Sequence, residues 1–168
     1  ARTEAFEAAV VVADAALVRA RTTPARLDEC LRGMGAVPGV RRATRVLAFA
    51  NGLSESVGES RSRVALHRLG LPAPDLQVRV LRADRSEIAR CDFGWEGHRT
   101  IGEFDGRIKY GRLLQPGQAP GDVVFAEKLR EDELRDHRWE VARWTWDDLR
   151  RPPVLAARIG RAFARGRR

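Results

Sequence analysis

The sequence predicts an α/β fold: a central mixed β-sheet of about four strands, flanked by helices and preceded by an N-terminal helical region. Three observations carry this. Apolar residues recur at helical spacing through residues 1–53. From Pro74 the period shortens to two over three consecutive segments. A charged helical segment, VVFAEKLREDELRDH, then separates these from a fourth alternating segment, WEVARW. Two regions follow, a helical appendage over 1–53 and a compact domain over 54–168.

Phe6, Val10, Ala13 and Leu17 lie on one helical face. Acidic residues interrupt the apolar pattern, so the first twenty residues read as an amphipathic helix and not as a signal peptide. Thr23-Pro24, an N-cap followed by Pro at the first helical position, opens a helix through ARLDECLRGM. Val40 to Ala50 supplies a third. A fourth, GESRSRVALHRLG, starts after Ser54–Ser56 and is closed by Gly70, which puts Glu59 in its first turn or two. Leu76, Val78 and Val80 alternate with polar neighbours in LQVRVL, a turn at Ala83 to Ser86 leads to EIARCDFGW, and RTIGEFD follows. With Gly97-His98 at the centre of a two-residue type II′ turn, Trp95 pairs with Thr100 and, by the same count, Asp92 with Glu103. After QPGQAPGD come the charged helix, WEVARW, a helical turn Trp146–Leu149 capped by Thr145, and, past Pro152-Pro153, a last helix VLAARIGRAFARGRR.

Hydrophobic residues make up 43% and charged residues 32% of the 168, an ordinary composition for one buried domain with a small appendage. The longest apolar run, near Ala8 to Ala13, is far below the roughly 18 residues of a spanning helix. Cys30 and Cys91 stand far apart with no His at ligand spacing, which argues against a zinc site and a secreted disulfide scaffold and for a reducing cytoplasm. The chain does not begin with Met, so a fragment or a processed product is expected. A net charge of +8 suits an anionic partner, nucleic acid first. All but two of the 31 basic residues are Arg, the bias of a GC-rich genome. Lys109 and Lys128 stand out, because Lys is a compact cation whose pKa can fall.

Glu103 and Asp105 lie two apart on a strand and share a face. With Asp92 opposite Glu103, three carboxylates crowd one hairpin. Such opposition destabilises a sheet unless a cation, a proton or a Lys compensates. One answer is a hard divalent ion. Oxygen-only ligands suit Mg²⁺, with Mn²⁺ as a substitute, and such an ion activates water for phosphodiester hydrolysis, with Lys109 orienting the water or holding the phosphate. The other answer is ion pairing with the abundant Arg. The residues alone leave both open.

A series of blocks in order carries a resemblance: GESRSRVAL with Glu59, GLPAPDLQVRV with Gln77, RCDFGW with Asp92, EFDGRIKY with Glu103, Asp105 and Lys109, EKLREDEL with Lys128 and Arg130, and WEVARWTWDDL. From Ser56 to Leu149 the chain resembles the very-short-patch-repair-like endonucleases of the PD-(D/E)XK nuclease superfamily. Residues 1–53 resemble the linker joining such a domain to an N-terminal winged-helix segment in actinobacterial antitoxin-like proteins of the abortive-infection type. The resemblance implies a restriction-endonuclease-like core, DNA as partner, a missing N-terminal DNA-binding domain, and scope for a homodimer. It implies Mg²⁺ held by Glu59, Asp92 and Glu103, with Asp92, Glu103, Asp105 and Lys109 as the catalytic set. Asp105 departs from the family, which keeps a Lys two positions after the third-strand acid. Where the very-short-patch branch often has a His six positions after that acid, this chain has Lys109. Lys109 is thus a migrated catalytic Lys, a replacement for the His, or a sign that cleavage is lost. Gln77 matches a polar residue near the site and equally suits an edge-strand solvent contact. Lys128 and Arg130 would position the DNA backbone, or belong to a solvated, ion-paired helix face with Glu127, Glu131 and Asp132.

Trp139, Trp144 and Trp146 suit core and rim packing better than base stacking, and His67, His98 and His137 show no ligand or triad spacing. The resulting reading is a Mg²⁺-dependent DNA endonuclease-like domain in DNA repair or phage defence. Its alternatives are a non-cleaving DNA-binding or regulatory module and a protein-interaction domain.

Overall fold

The computed structural model describes residues 5–106 and 120–167, with 120–124 by backbone alone. It has a mixed α/β architecture, a four-stranded mixed sheet flanked by helices and an N-terminal helical region. The chain divides into two compact units, Ala1–Val64 and Ala65–Arg168. Among the described residues no helix is long and apolar enough to cross a membrane.

The N-terminal unit contains α1 (Phe6–Val18), α2 (Pro24–Gly33), α3 (Val40–Phe49) and the first part of α4 (Val57–Arg68). Thr23 caps α2 as expected, its Oγ1 accepting from Arg26 N at 3.3 Å. Ala9, Val10, Val46 and Val64 form the core, edged by Phe6, Ala13 and Phe49. One buried polar residue interrupts this apolar packing. Asp14 is fully buried, and protein donors replace the water it loses: Arg63 donates to Oδ2 at 2.8 Å and Asn51 N to Oδ1 at 2.7 Å.

The sequence set the boundary between regions at 53/54, ahead of α4. The division falls within that helix, because residues two apart on a helix face nearly opposite directions. Val64 belongs to the N-terminal core and Leu66 to the core of the sheet.

In the C-terminal unit the strand order is β1-β2-β3-β4, with β1 (Asp75–Leu81), β2 (Glu87–Trp95) and β3 (Thr100–Asp105) antiparallel and β4 (Glu140–Thr145) parallel to β3. A parallel partner requires a crossover, supplied by α5 (Pro120–Asp136). After β4 come α6 (Trp146–Leu149) and α7 (Pro152–Gly166), the latter starting two residues before the predicted VLAARIG because Pro is favourable at the first helical position. The sheet is covered on both faces. Leu155, Ile159, Ala162 and Phe163 of α7 pack with Phe93, Trp95, Ala142 and Trp144, while Leu134 of α5 packs with Val80, Ile88, Ala89, Cys91 and Ile101. The alternation along β3 and β4 is what permits this. Trp144 and Phe93 are fully buried, with ring centroids 5.1 Å apart. A Cβ on Gly102 would meet the Trp144 ring at 2.5 Å and Trp95 at 3.1 Å, so this packing demands glycine there. The three C-terminal Trp are thus packing residues, with Trp146 against Phe104 and Trp139 beneath the Arg99 guanidinium.

The β2–β3 connection differs from the expected two-residue type II′ turn. Glu96–His98 form a 3-10 turn, and the left-handed residue is Arg99 (φ 46°), not Gly97. Arg99 earns that conformation through β4: its carbonyl accepts from Glu140 N at 2.8 Å and its guanidinium donates to the His137 carbonyl at 2.6 Å. The predicted register nevertheless holds, with Trp95 opposite Thr100 and Phe93 opposite Gly102.

Candidate functional site

Four polar residues, Gln77, Asp92, Glu103 and Arg143, lie on neighbouring strands of the sheet. Leu76↔Phe93 and Val78↔Cys91 bracket Gln77 and Asp92, the β2–β3 pairing ends at Phe93↔Gly102, one residue short of Asp92 and Glu103, and Glu103 pairs with Arg143 of β4. All four are half-buried.

Two irregularities coincide in this row. Phe93 lies in the α7-side cluster and Cys91 in the α5-side cluster, although an unbroken strand keeps residues two apart on one face. The switch occurs at Asp92. Opposite it, Gln77 has φ 52° within β1, left-handed backbone that costs a non-glycine residue about 1 kcal/mol or more. Asp92 is thereby turned so that its Oδ2 accepts from Phe104 N at 2.9 Å.

Glu103 answers the question of what balances the crowded carboxylates. Its Oε1 accepts from Arg130 at 2.9 Å and its Oε2 from Arg143 Nε at 2.8 Å. Both arginines also engage carboxylates of α5: Arg130, on the same helix, donates to Glu127 at 2.8 Å, and Arg143 bonds Glu127 and lies 3.0 Å from Glu131. The i,i+4 repulsion expected between Glu127 and Glu131 is therefore relieved by one guanidinium bridging them. Burial opposes the charge of both arginines, yet the Glu127 and Glu103 carboxylates hold Arg130, and Glu103 foremost holds Arg143, above the ordinary Arg range. Nε of Arg130 is buried with no hydrogen-bond partner among the described residues. Burial first, then the nearby Glu103 charge, pushes the Cys91 thiol up to about 12, so Cys91 is a neutral thiol at physiological pH.

The remaining expected site residues have the following local settings. Glu59 lies in the N-terminal unit and caps α4: Glu59 N donates to Ser56 Oγ at 3.1 Å, and Glu59 Oε2 accepts from Glu55 N at 2.8 Å, a variant of the capping box. Asp105 ends β3 beside Thr145. Lys128 is exposed on α5 and takes no part in the described network around Glu103. Lys109 lies outside the described residues. Arg143 is a member that sequence reasoning missed, while Glu127 and Glu131 read from the sequence only as part of an ion-paired helix face. The signal for Arg143 was its position between Ala142 and Trp144 on a strand, a cation flanked by buried residues.

A divalent ion would require oxygens that Glu103 could offer. Both already accept guanidinium hydrogen bonds, and among the described residues no group of three or more His, Cys, Asp or Glu side chains stands together as a metal site. As placed, both Glu103 oxygens are taken up by guanidinium donors and are not open toward an ion.

Comparison with known proteins finds no matching family model and no matching solved structure. Two proteins of Mycobacterium tuberculosis are similar: uncharacterized protein MT2308 of strain CDC 1551 / Oshkosh and uncharacterized protein Rv2248 of strain ATCC 25618 / H37Rv. Each is 30% identical over 160 residues, covering 95% of this chain and 56% of the relative, so the chain spans just over half the length of the curated relatives it matches.

Proposed function

We propose that the C-terminal unit is a DNA-binding domain on a nuclease-like core, a regulatory module that holds the phosphodiester backbone without cleaving it, acting in the cytoplasm as part of a longer antitoxin-like protein. The observation that carries this is the engagement of both Glu103 oxygens by Arg130 and Arg143. Arginine is the side chain suited to carboxylate and phosphate alike. The net charge of +8 supports a polyanionic partner. The likeness to very-short-patch-repair-like endonucleases in the blocks around Asp92 and Glu103 supports DNA.

One observation favours cleavage as a second reading. Gln77 keeps a left-handed backbone opposite Asp92, and strain of this kind collects at functional sites. The two readings separate by incubating supercoiled plasmid with the protein and Mg²⁺ or Mn²⁺, alongside Asp92→Ala. The regulatory reading expects duplex binding at low salt and no nicking. Nicking that Asp92→Ala abolishes would overturn it in favour of the enzyme, and no binding at low salt would point to a protein-interaction domain.

A further inference from the structure

We propose that the N-terminal unit carries a second docking surface for the phosphodiester backbone of duplex DNA, centred on Arg41, Arg42 and Arg45 of α3. The inference goes beyond the C-terminal site and rests on DNA being the partner. The surface is an open groove of about 1210 Å³, walled by Ala36, Val37 and Pro38 and by the first turns of α3. The three guanidinium groups stand exposed along it. Among the described residues none of them makes a hydrogen bond, an ion pair or a ring contact. Elsewhere Arg79, Arg82, Arg135, Arg150 and Arg165 are each paired with a carboxylate, and what distinguishes Arg41, Arg42 and Arg45 is that three unpaired guanidinium groups line one groove.

The sequence explains why this cluster stands unpaired. From Leu31 to Ser54 the chain holds four arginines and no acidic residue, so nothing local neutralises the groove. Arg41 and Arg45 are i,i+4 neighbours and Arg42 and Arg45 i,i+3 neighbours, spacings at which like charges repel. Arg41 and Arg42 also occupy the first turn of α3, which has no acidic residue and no side-chain cap, and there the helix dipole disfavours cations. Each of these unfavourable terms is removed by a polyanion laid in the groove. The apolar wall of Ala36, Val37 and Pro38 withdraws part of the screening water, which strengthens the attraction. A duplex backbone presents the continuous row of charges that three adjacent guanidinium groups match.

The test is the salt dependence of binding to a fluorescent duplex by the 168-residue chain. It compares wild type, the triple variant Arg41→Gln, Arg42→Gln, Arg45→Gln, the triple Lys variant, and Arg130→Gln with Arg143→Gln. About 0.9 in the slope of log K against log salt is expected per phosphate contact, so the Gln triple should lower the slope by about 2–3 while the Lys triple keeps it. The side chains are exposed, so circular dichroism should show all of these triples folded. Wild-type binding with an unchanged slope in the Gln triple overturns the groove and leaves the C-terminal reading standing. A lowered slope in the Gln triple with no effect of the Arg130 and Arg143 changes establishes the groove and sinks the C-terminal reading. No duplex binding by wild type at low salt, or binding to phosphatidylserine vesicles alone, overturns both.

Discussion

Replacing Glu103 by Gln separates an ion-paired carboxylate from a metal ligand by the sign of the stability change. In the structure Glu103 receives one hydrogen bond from each of two guanidinium groups, and its side chain is 15% exposed. A hydrogen bond to a charged group contributes about 1.5–3 kcal/mol net. Arg130 keeps Glu127, and Arg143 keeps Glu127 and Glu131. The arginine side chains are 29% and 32% exposed, so solvent screens part of what is lost. The expected destabilisation is about 2–3 kcal/mol. For a unit of this size each kcal/mol lowers Tm by about 4–8 °C, so Glu103→Gln should melt roughly 10–20 °C below wild type by near-ultraviolet circular dichroism, which reports on the buried Trp95 and Trp144. Millimolar Mg²⁺ should leave the wild-type Tm unchanged, because a ligand stabilises only the state it binds. A carboxylate cluster waiting for a metal behaves in the opposite way, since neutralising one member relieves repulsion. A higher Tm for Glu103→Gln, or a wild-type Tm that rises with Mg²⁺, would refute the ion-paired reading.

Three further outcomes follow from particular contacts. A Cβ on Gly166 would lie 2.1 Å from the His98 carbonyl oxygen, so Gly166→Ala should cost about 1–3 kcal/mol in urea unfolding. Gly160→Ala, in the same helix with open space around it, should stabilise by about 0.5–1 kcal/mol. His98 stacks on Phe163 and accepts from Arg167 Nε at 3.1 Å. Desolvation first, then the Arg167 charge, holds its pKa below the ordinary His value. The unfolded chain therefore takes up the proton at higher pH than the folded one, stability falls as pH drops below about 6.5, and His98→Phe should flatten the Tm–pH curve there. With its thiol pushed up to about 12, Cys91 has a thiolate fraction of about 1 in 10⁴ at pH 8. Iodoacetamide followed by mass spectrometry should label exposed Cys30 and spare Cys91 until the chain unfolds.

Much of this architecture is legible in local pattern. Helical spacing at Phe6, Val10 and Ala13, the Thr23-Pro24 cap, and alternation in LQVRVL and EIARCDFGW are short-range signals, and each element appears close to its predicted bounds. The hairpin register was also readable, since counting from Trp95 and Thr100 does not depend on the turn type. The turn itself was not, because Arg99 takes the left-handed position through bonds to Glu140 and His137, about 40 residues away.

Local pattern is enough for the element order, the packing role of the tryptophans and the excess of carboxylates on one hairpin that some cation must balance. At Glu103 that cation is arginine, and contacts distant in sequence make it so. The parallel pairing of β3 with β4 sets Arg143 beside Glu103, and the crossover helix sets Arg130 over it. Both depend on chain segments brought together from 27 and 40 residues away. Charge balance is a property of distance in space, so the sequence can state the imbalance and only the fold can show what relieves it.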